Sequence, residues 1–298
     1  MAQKIVECIP NFSEGRDEQL VAQIVAAIQG VSGVTLLDQS SDADHNRSVI
    51  TFVGPPAAVE AAAFAGIAKA AELIDMDKHE GEHPRMGATD VVPFVPIAGV
   101  TMKECVAISQ RVGERVGKEL DIPVYLYEES ATRAERQNLA NVRRGEYEGI
   151  KAEIGKKKNR QPDYGPAKLG KAGAVAIGAR APLVAYNVYL TTDDVSVAKT
   201  IGKAVRASSG GLAYVKGAGF LVDGKAQVSM NLTNYRRTPI ARVVEMIRRE
   251  AQRYGVAIEK SELIGLIPQQ ALEDAAAWYL QLDAFKGEQV LERRMQSA

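Results

Sequence analysis

Histidine, cysteine and tryptophan are scarce in this chain, with three His, two Cys and one Trp in 298 residues. Two cysteines exclude a disulfide framework and a cysteine-based zinc site. Cys8, expected in a strand, and Cys105, expected in a helix, read as small buried apolar side chains. No apolar run approaches the roughly 18 residues a membrane-spanning helix needs. Net charge is also absent, since 37 basic residues balance 37 acidic ones. No global field therefore draws the chain to nucleic acid or to an anionic membrane. The start, Met1 to Lys4, enters an alternating segment with no apolar signal core, so the cytoplasm is the expected compartment. With 46% hydrophobic and 25% charged residues, the composition is that of a soluble globular protein of two ordinary domains or one large one.

What is present alternates in period. Ile5–Ile9, Val34–Asp38, Ser48–Val53, Val91–Ile97 and Val124–Tyr127 read as strands, and Asp17–Gln29, Pro55 to about Leu73 and Met102–Leu120 as helices. Pro93 and Pro96 cannot donate to a ladder and place Val91–Ile97 at an edge or in an interrupted strand. In the second half Leu183–Leu190, Tyr214–Val222, Ala226–Leu232 and Leu263–Leu266 read as strands. Asp223-Gly224 is a hairpin turn signal. Asp193–Ser208, a helix entered through Thr238 as N-cap and Pro239, and Gln269–Leu280 are helical. Each half thus reads β-α-β-β-α-β, the order of a ferredoxin-like unit. The expected class is α+β, with boundaries at 1–180 and 181–298. Lys151 to Gly173, with its basic run 156–160 and its turn residues, reads as a linker, its lysines either solvated or attracting an anion.

No other stretch packs as much titratable chemistry into so few residues as 79–87 does. Two of the three histidines fall in His79-Glu80-Gly81-Glu82-His83, followed by Pro84-Arg85-Met86-Gly87. The spelling is H-E-x-x-H, which in a zinc protease sets both histidines on one helical face. Gly81 disfavours a helix there, Pro84 pushes His83 toward extended backbone, and His45, the remaining histidine, belongs to another loop. No metal is expected. A loop histidine beside Glu82 and Arg85 reads either as an acid–base group or as a structural side chain, with His79 a helix-end residue or a support behind the site.

Weaker signals surround it. Gly165-Pro166-Ala167-Lys168-Leu169-Gly170-Lys171-Ala172 nearly spells a Walker loop. Ala172 stands where a magnesium-binding hydroxyl belongs, and Pro166 removes an N–H. Small residues with Lys168 and Lys171 can still wrap an anionic small molecule. Asp38, at a strand end, reads as a turn former or a site carboxylate. Asn187 and Asn231 are polar residues in strands and need partners, structural or ligand.

Taken together, Val6 to Gly15 (VECIPNFSEG), Gly81 to Ala88, Pro123 to Tyr127, Arg144-Gly145-Glu146-Tyr147 and Val228 to Thr233 resemble the glutamate formimidoyltransferase family, the transferase portion of formimidoyltransferase-cyclodeaminase, over essentially the whole chain. The resemblance implies two ferredoxin-like subdomains with a ligand tunnel between them, a homodimer, and no cyclodeaminase part. It implies transfer of the formimidoyl group of N-formimidoyl-L-glutamate to N5 of tetrahydrofolate as co-substrate. It marks His83 as the catalytic histidine and Gly165–Gly173 as the folate stretch, with Tyr164 where the family has Phe. Chemistry and position then suggest Asp38 as the carboxylate that orients His83, and Arg47 and Arg85 as forks for the glutamate carboxylates. Asn11, Asn187 and Asn231 become candidate contacts to the pterin or amidine. A formyltransferase acting on N-formylglutamate or 5-formyltetrahydrofolate needs the same acid–base group. A folate-binding protein without catalysis and a zinc hydrolase are the remaining rivals.

Overall fold

The computed structural model describes residues 4–81 and 83–296. Met1 to Gln3 and Glu82, which the sequence placed in the entry segment and beside His83, lie outside the described residues. The chain divides into two compact units, Met1–Ala181 and Pro182–Ala298.

In the first unit the elements are β1 (Ile5–Cys8), β2 (Asn11–Phe12), α1 (Glu18–Gln29), β3 (Thr35–Asp42), β4 (Arg47–Gly54), α2 (Pro56–Leu73), β5 (Thr89–Ala98), α3 (Met102–Glu119), β6 (Val124–Glu128), α4 (Leu139–Val142), α5 (Glu146–Glu153) and β7 (Val175–Ala179). The Asp17 carboxylate caps α1 by accepting from the N–H groups of Gln19 and Leu20, and a Thr101/Glu104 capping box opens α3. Both devices satisfy N–H groups that lack a partner in the helix. In α1, Val21, Ile24, Val25 and Ile28 recur at helical spacing and are buried, which turns one stripe inward. They join Phe12, Phe52 and Ile67 in one core.

The strands form a seven-stranded mixed sheet. β3 pairs with β4, β4 with β1, and β1 with β5, all antiparallel. β5 then pairs parallel with β7, and β7 parallel with β6. The half-chain thus extends beyond the β-α-β-β-α-β order: α3 and β6 agree with the helix and strand read at Met102–Leu120 and Val124–Tyr127, whereas β2, α4, α5 and β7 are additions. The edge reading of the Pro93–Pro96 run is also corrected, because β5 is interior, with β1 and β2 on one side and β7 on the other. A proline loses its donor and keeps its acceptor, and the Pro93 carbonyl takes the Ile9 N–H at 3.4 Å. Register shifts between Ile5 and Val6 and between Asn11 and Phe12 interrupt the pairing.

The linker reading of Lys151–Gly173 is corrected as well. Asp163, whose side chain is 7% exposed, accepts from the Leu126 N–H at 2.8 Å and from Arg136 Nη1 at 2.5 Å. Arg160 is buried against Glu153 and the Val142 carbonyl. Tyr164 packs on the core. Lys156, Lys157 and Lys158 are exposed, in keeping with the solvated reading of the lysines, whereas the Arg136 and Arg160 guanidiniums are buried and close loops.

The second unit holds β8 (Val184–Leu190), α6 (Val195–Val205), β9 (Val215–Val222), β10 (Lys225–Leu232), α7 (Ile240–Gln252), β11 (Ile258–Ile264), α8 (Gln269–Leu280) and α9 (Leu291–Gln296). Its sheet runs β11-β8-β10-β9, all antiparallel. Asp223 and Gly224, both at positive φ, turn the β9–β10 hairpin, as the dipeptide predicts. Thr238 does not cap α7. Its hydroxyl donates to the Ala213 carbonyl at 2.6 Å, and Pro239 takes the cap position. Val184, Val188, Val228, Met230 and Leu232 face the buried cluster with α6 and α7. Among the described residues no helix is long and apolar enough to cross a membrane.

Replacing Asp163 by Ala strands the Arg136 charge, whose side chain is 3% exposed. The loss of a buried pair member predicts destabilisation by about 3–5 kcal/mol. Urea unfolding of the variant against wild type measures it, and a change near zero would assign the 159–163 segment no structural weight.

Candidate active site

Helix α2 ends at Leu73, and the chain from His79 to Gly81 and from His83 to Arg85 is not helical. His79 is therefore not a helix-end residue, and no common helical face carries the two histidines. Gly81 explains the packing, because a Cβ there would lie 2.5 Å from the His45 carbonyl oxygen and 2.8 Å from the Asn46 Cβ. The loop thus lies flat against residues 45 and 46. Asn46 clasps it: its Oδ1 accepts from the Gly15 N–H at 3.0 Å and its Nδ2 donates to the Glu80 carbonyl at 2.9 Å. His79 Nε2 lies 3.1 Å from the Asn46 carbonyl, and Arg85 Nε donates to His79 Nδ1 at 3.2 Å. Each ring nitrogen is engaged, one as donor and one as acceptor, as a neutral imidazole requires. Burial, with Arg85 beside it, holds His79 below its ordinary range.

Arg85, expected to offer a fork to substrate, is already engaged. Its Nη1 donates to Glu146 at 3.1 Å and to Glu148 at 2.9 Å, and its Nη2 to Glu148 at 2.7 Å. The bidentate geometry expected for a ligand carboxylate is spent on the start of α5. Asn11 is likewise committed: its Nδ2 donates to the Ile9 carbonyl at 2.9 Å and its Oδ1 accepts from Arg47 Nη2.

The other end of the loop is held by Asp90, a buried carboxylate on β5. It accepts from the Met86 N–H at 3.1 Å and from the Nε (3.3 Å) and Nη2 of Arg143. Arg160 donates to the carbonyls of Val142 and Arg144, the two neighbours of Arg143, and so fixes where that guanidinium stands. A Cβ on Gly87 would overlap the Ala174 carbonyl, so only glycine lets the loop run against the chain entering β7. There Ala88 N–H donates to the Ala172 carbonyl and Ala174 N–H to the Met86 carbonyl.

His83 lies half-buried in a cleft with Phe12, Ser13, His45, Asn46, Arg47, His79, Arg85 and Asp90. The His45 ring stands edge-on, with centroids 6.2 Å apart, and His45 Nδ1 is paired with Asp42 at 2.7 Å. Burial, then Arg47 and Arg143, push the His83 imidazole down to about 3. Arg47 is itself pushed down to about 10, by burial and then by the charge of Arg143. Its Nε is buried without a hydrogen-bond partner. The cleft therefore combines a neutral imidazole with an excess of positive charge.

The remaining candidates fall elsewhere. Asp38 sits half-buried on β3 opposite Thr51, on the same sheet face as Arg47 by register. It is not among the residues lining the His83 cleft, where the carboxylate is Asp90. Asn187 donates to Glu262 at 3.2 Å, and Asn231 is exposed on β10. Both lie on the face of the second sheet turned away from α6 and α7. In the Gly165–Gly173 stretch (Gly165, Pro166, Ala167, Lys168, Leu169, Gly170, Lys171, Ala172, Gly173), Lys168 and Lys171 are exposed and Leu169 is buried. It leads into β7, not into a helix, so no helix N-terminus backs a phosphate there. Its far end meets the histidine loop through the Gly87–Gly173 bridge and the Met76 N–H to Lys171 carbonyl bond at 2.8 Å. A second, open cleft of about 740 Å³ shares His79 and Arg85 with the first and adds Lys78, Tyr147 and Lys151. Among the described residues no group of three or more His, Cys, Asp or Glu is placed to hold a metal ion. Cys8 and Cys105 are free and buried, and burial pushes both thiols up, Cys105 to about 11.

Sequence reasoning missed Asp90, Arg143 and the nearness of His45. A carboxylate immediately before the apolar run that starts at Val91 was a usable signal for Asp90. Arg143 carries no local signal, since only tertiary contact brings α4 to the loop.

Known proteins share these features of sequence. The profile of the formiminotransferase domain, N-terminal subdomain, matches residues 5–180, and that of the formiminotransferase domain matches residues 185–293. A glutamate formimidoyltransferase of Thermoplasma acidophilum is 52% identical over 99% of this chain and 98% of its own length. One from Streptococcus pyogenes serotype M1 is 51% identical over 98% and 99%. The formimidoyltransferase-cyclodeaminase of Mus musculus is 42% identical over 93% of this chain and 52% of its own. With both halves matched by one pair of profiles and the whole length shared at about half identity, the chain belongs to the formiminotransferase family.

Proposed function

We propose that this protein transfers the formimidoyl group of N-formimidoyl-L-glutamate to N5 of tetrahydrofolate, giving 5-formimidoyltetrahydrofolate and L-glutamate, a step of histidine degradation that feeds one-carbon metabolism. The observation that carries the reading is His83, neutral and half-buried in a cleft with excess positive charge. The donor carries two carboxylates, and the reaction moves one proton from N5 to the glutamate nitrogen. N5 attacks the formimidoyl carbon and a tetrahedral intermediate forms. His83 accepts the N5 proton and returns it to the glutamate nitrogen as the bond from carbon to that nitrogen breaks. One imidazole serves as base and then acid. Arg47, with its buried unpartnered Nε, is suited to a carboxylate of the donor.

The names of the relatives from Thermoplasma acidophilum and Streptococcus pyogenes support the activity. Both units also support a ferredoxin-like reading. Numbering each β-α-β-β-α-β series from one to four, β5-β1-β4-β3 and β11-β8-β10-β9 both stand in the order four, one, three, two. Folate is assigned to the Gly165–Gly173 stretch, whose end touches the loop of His83. Asp38 keeps its candidacy as an orienting carboxylate through its sheet face alone. The working state is taken as a homodimer in the cytoplasm, without metal.

His83→Ala should lower turnover by at least about a hundredfold while circular dichroism stays native. Wild-type turnover in that variant removes His83 from the mechanism. Assaying formimidoyl and formyl donors side by side decides between the two one-carbon groups.

The low value of His83 also sets a pH dependence. A base depressed in the folded state is more readily protonated when unfolded, so stability rises with pH between the folded value near 3 and the unfolded value near 6.5. Acidifying from pH 7 to 4 should thus lower the urea midpoint, and His83→Gln should reduce that dependence. A pH slope identical in the two proteins would show that His83 titrates normally in the fold.

A further inference from the structure

Six charged or titratable groups stand around His83. His79 and Arg85 share its loop, His45 and Arg47 come from the β3–β4 turn and β4, Asp90 from β5, and Arg143 from the end of α4. His79 and Arg85 are consumed by each other and by Glu146 and Glu148, and His45 is paired with Asp42. What remains is Arg47 and Arg143, with Asp90 bonded to Arg143 and the more exposed Asp42 acting on Arg47 through its charge. The Arg47 Nε is buried and unpartnered. Among the described residues the side-chain hydrogen bonds of Arg143 go to Asp90 alone, through Nε and Nη2, and none is made by Nη1. Asp90 thus holds Arg143 beside the loop, and Arg160 holds the backbone on either side of it.

We propose that Arg143, positioned by Asp90, is a second guanidinium of the donor subsite, and that together with Arg47 it binds a carboxylate of the acidic donor so as to switch His83 into a proton acceptor. The inference rests on the transferase reading and deepens it. Burial and then the two guanidiniums oppose any proton on His83. A bound carboxylate cancels that field at close range, where low dielectric makes it strong, and the imidazole gains proton affinity when the donor is in place. The base is thereby held inactive until the acidic substrate arrives.

The test follows the His83 ring by NMR titration, with L-glutamate as the probe, in wild type, Arg143→Gln and Arg143→Lys. Wild type should titrate far below the ordinary histidine range alone and move upward when glutamate is added. Arg143→Gln should titrate higher in the free protein, because one positive charge is gone, and should respond less to glutamate. In turnover assays the same variant should raise the KM for formimidoylglutamate by about tenfold or more, the scale of a lost charge-assisted pair, with little change for tetrahydrofolate. Arg143→Lys keeps the charge and should keep the low free titration while losing donor affinity; it carries the test if the glutamine variant does not fold. Glutamate that leaves the wild-type His83 titration unmoved, or moves it equally in both proteins, overturns the proposal. Because the titration needs no turnover, failure of the wild type to use formimidoylglutamate would instead count against the transferase reading.

Discussion

One buried carboxylate organises the site. Asp90 projects from an interior strand and takes hydrogen bonds from the Met86 N–H and from the Arg143 guanidinium. Taking an aspartate out of water is costly unless it is paired and hydrogen-bonded. Here both conditions are met by two segments distant in sequence, the loop after His83 and the end of α4. The carboxylate therefore needs that loop and that helix end in one arrangement. Arg160 adds the same logic at one remove, since its buried charge is satisfied by Glu153 and by the carbonyls flanking Arg143.

The histidine loop has a divided character that follows from this anchoring. His79 has both ring nitrogens engaged and acts as a strut between Asn46 and Arg85. His83, four residues on, is half-buried in a cleft whose charge balance is positive. Two identical side chains in one short motif thus differ in role because their neighbours differ. The neighbours of His79 satisfy it by hydrogen bonds, whereas burial and then the charges of Arg47 and Arg143 disfavour a proton on His83.

Both units keep their main helices on one side of a sheet, and polar residues populate the opposite side. In the first, Asp38, Arg47 and Asn11 share that face by register, and in the second Asn187, Ser229 and Asn231 do. Alternation along a strand enforces this, since each residue that turns inward sends its neighbour outward. Polar residues in strands were readable as needing partners. Their partners were not, because Glu262 for Asn187 and Arg47 for Asn11 come from other strands.

The sequence by itself determined the local grammar: the strand–helix alternation, the Asp223-Gly224 hairpin, the start of α8, the non-helical backbone before Pro84, and the long motifs that mark the family. These depend on backbone preferences within a few residues. Tertiary structure alone decided which charges meet. It made Arg160, at the end of the basic run, an internal brace, put the proline-bearing β5 inside the sheet, committed Arg85 and Asn11 to the scaffold, and brought Asp90, Arg143 and His45 to the neighbourhood of His83. Electrostatic partnership acts through space and leaves no period in the chain, so those pairings became visible only when the strands and loops were assembled.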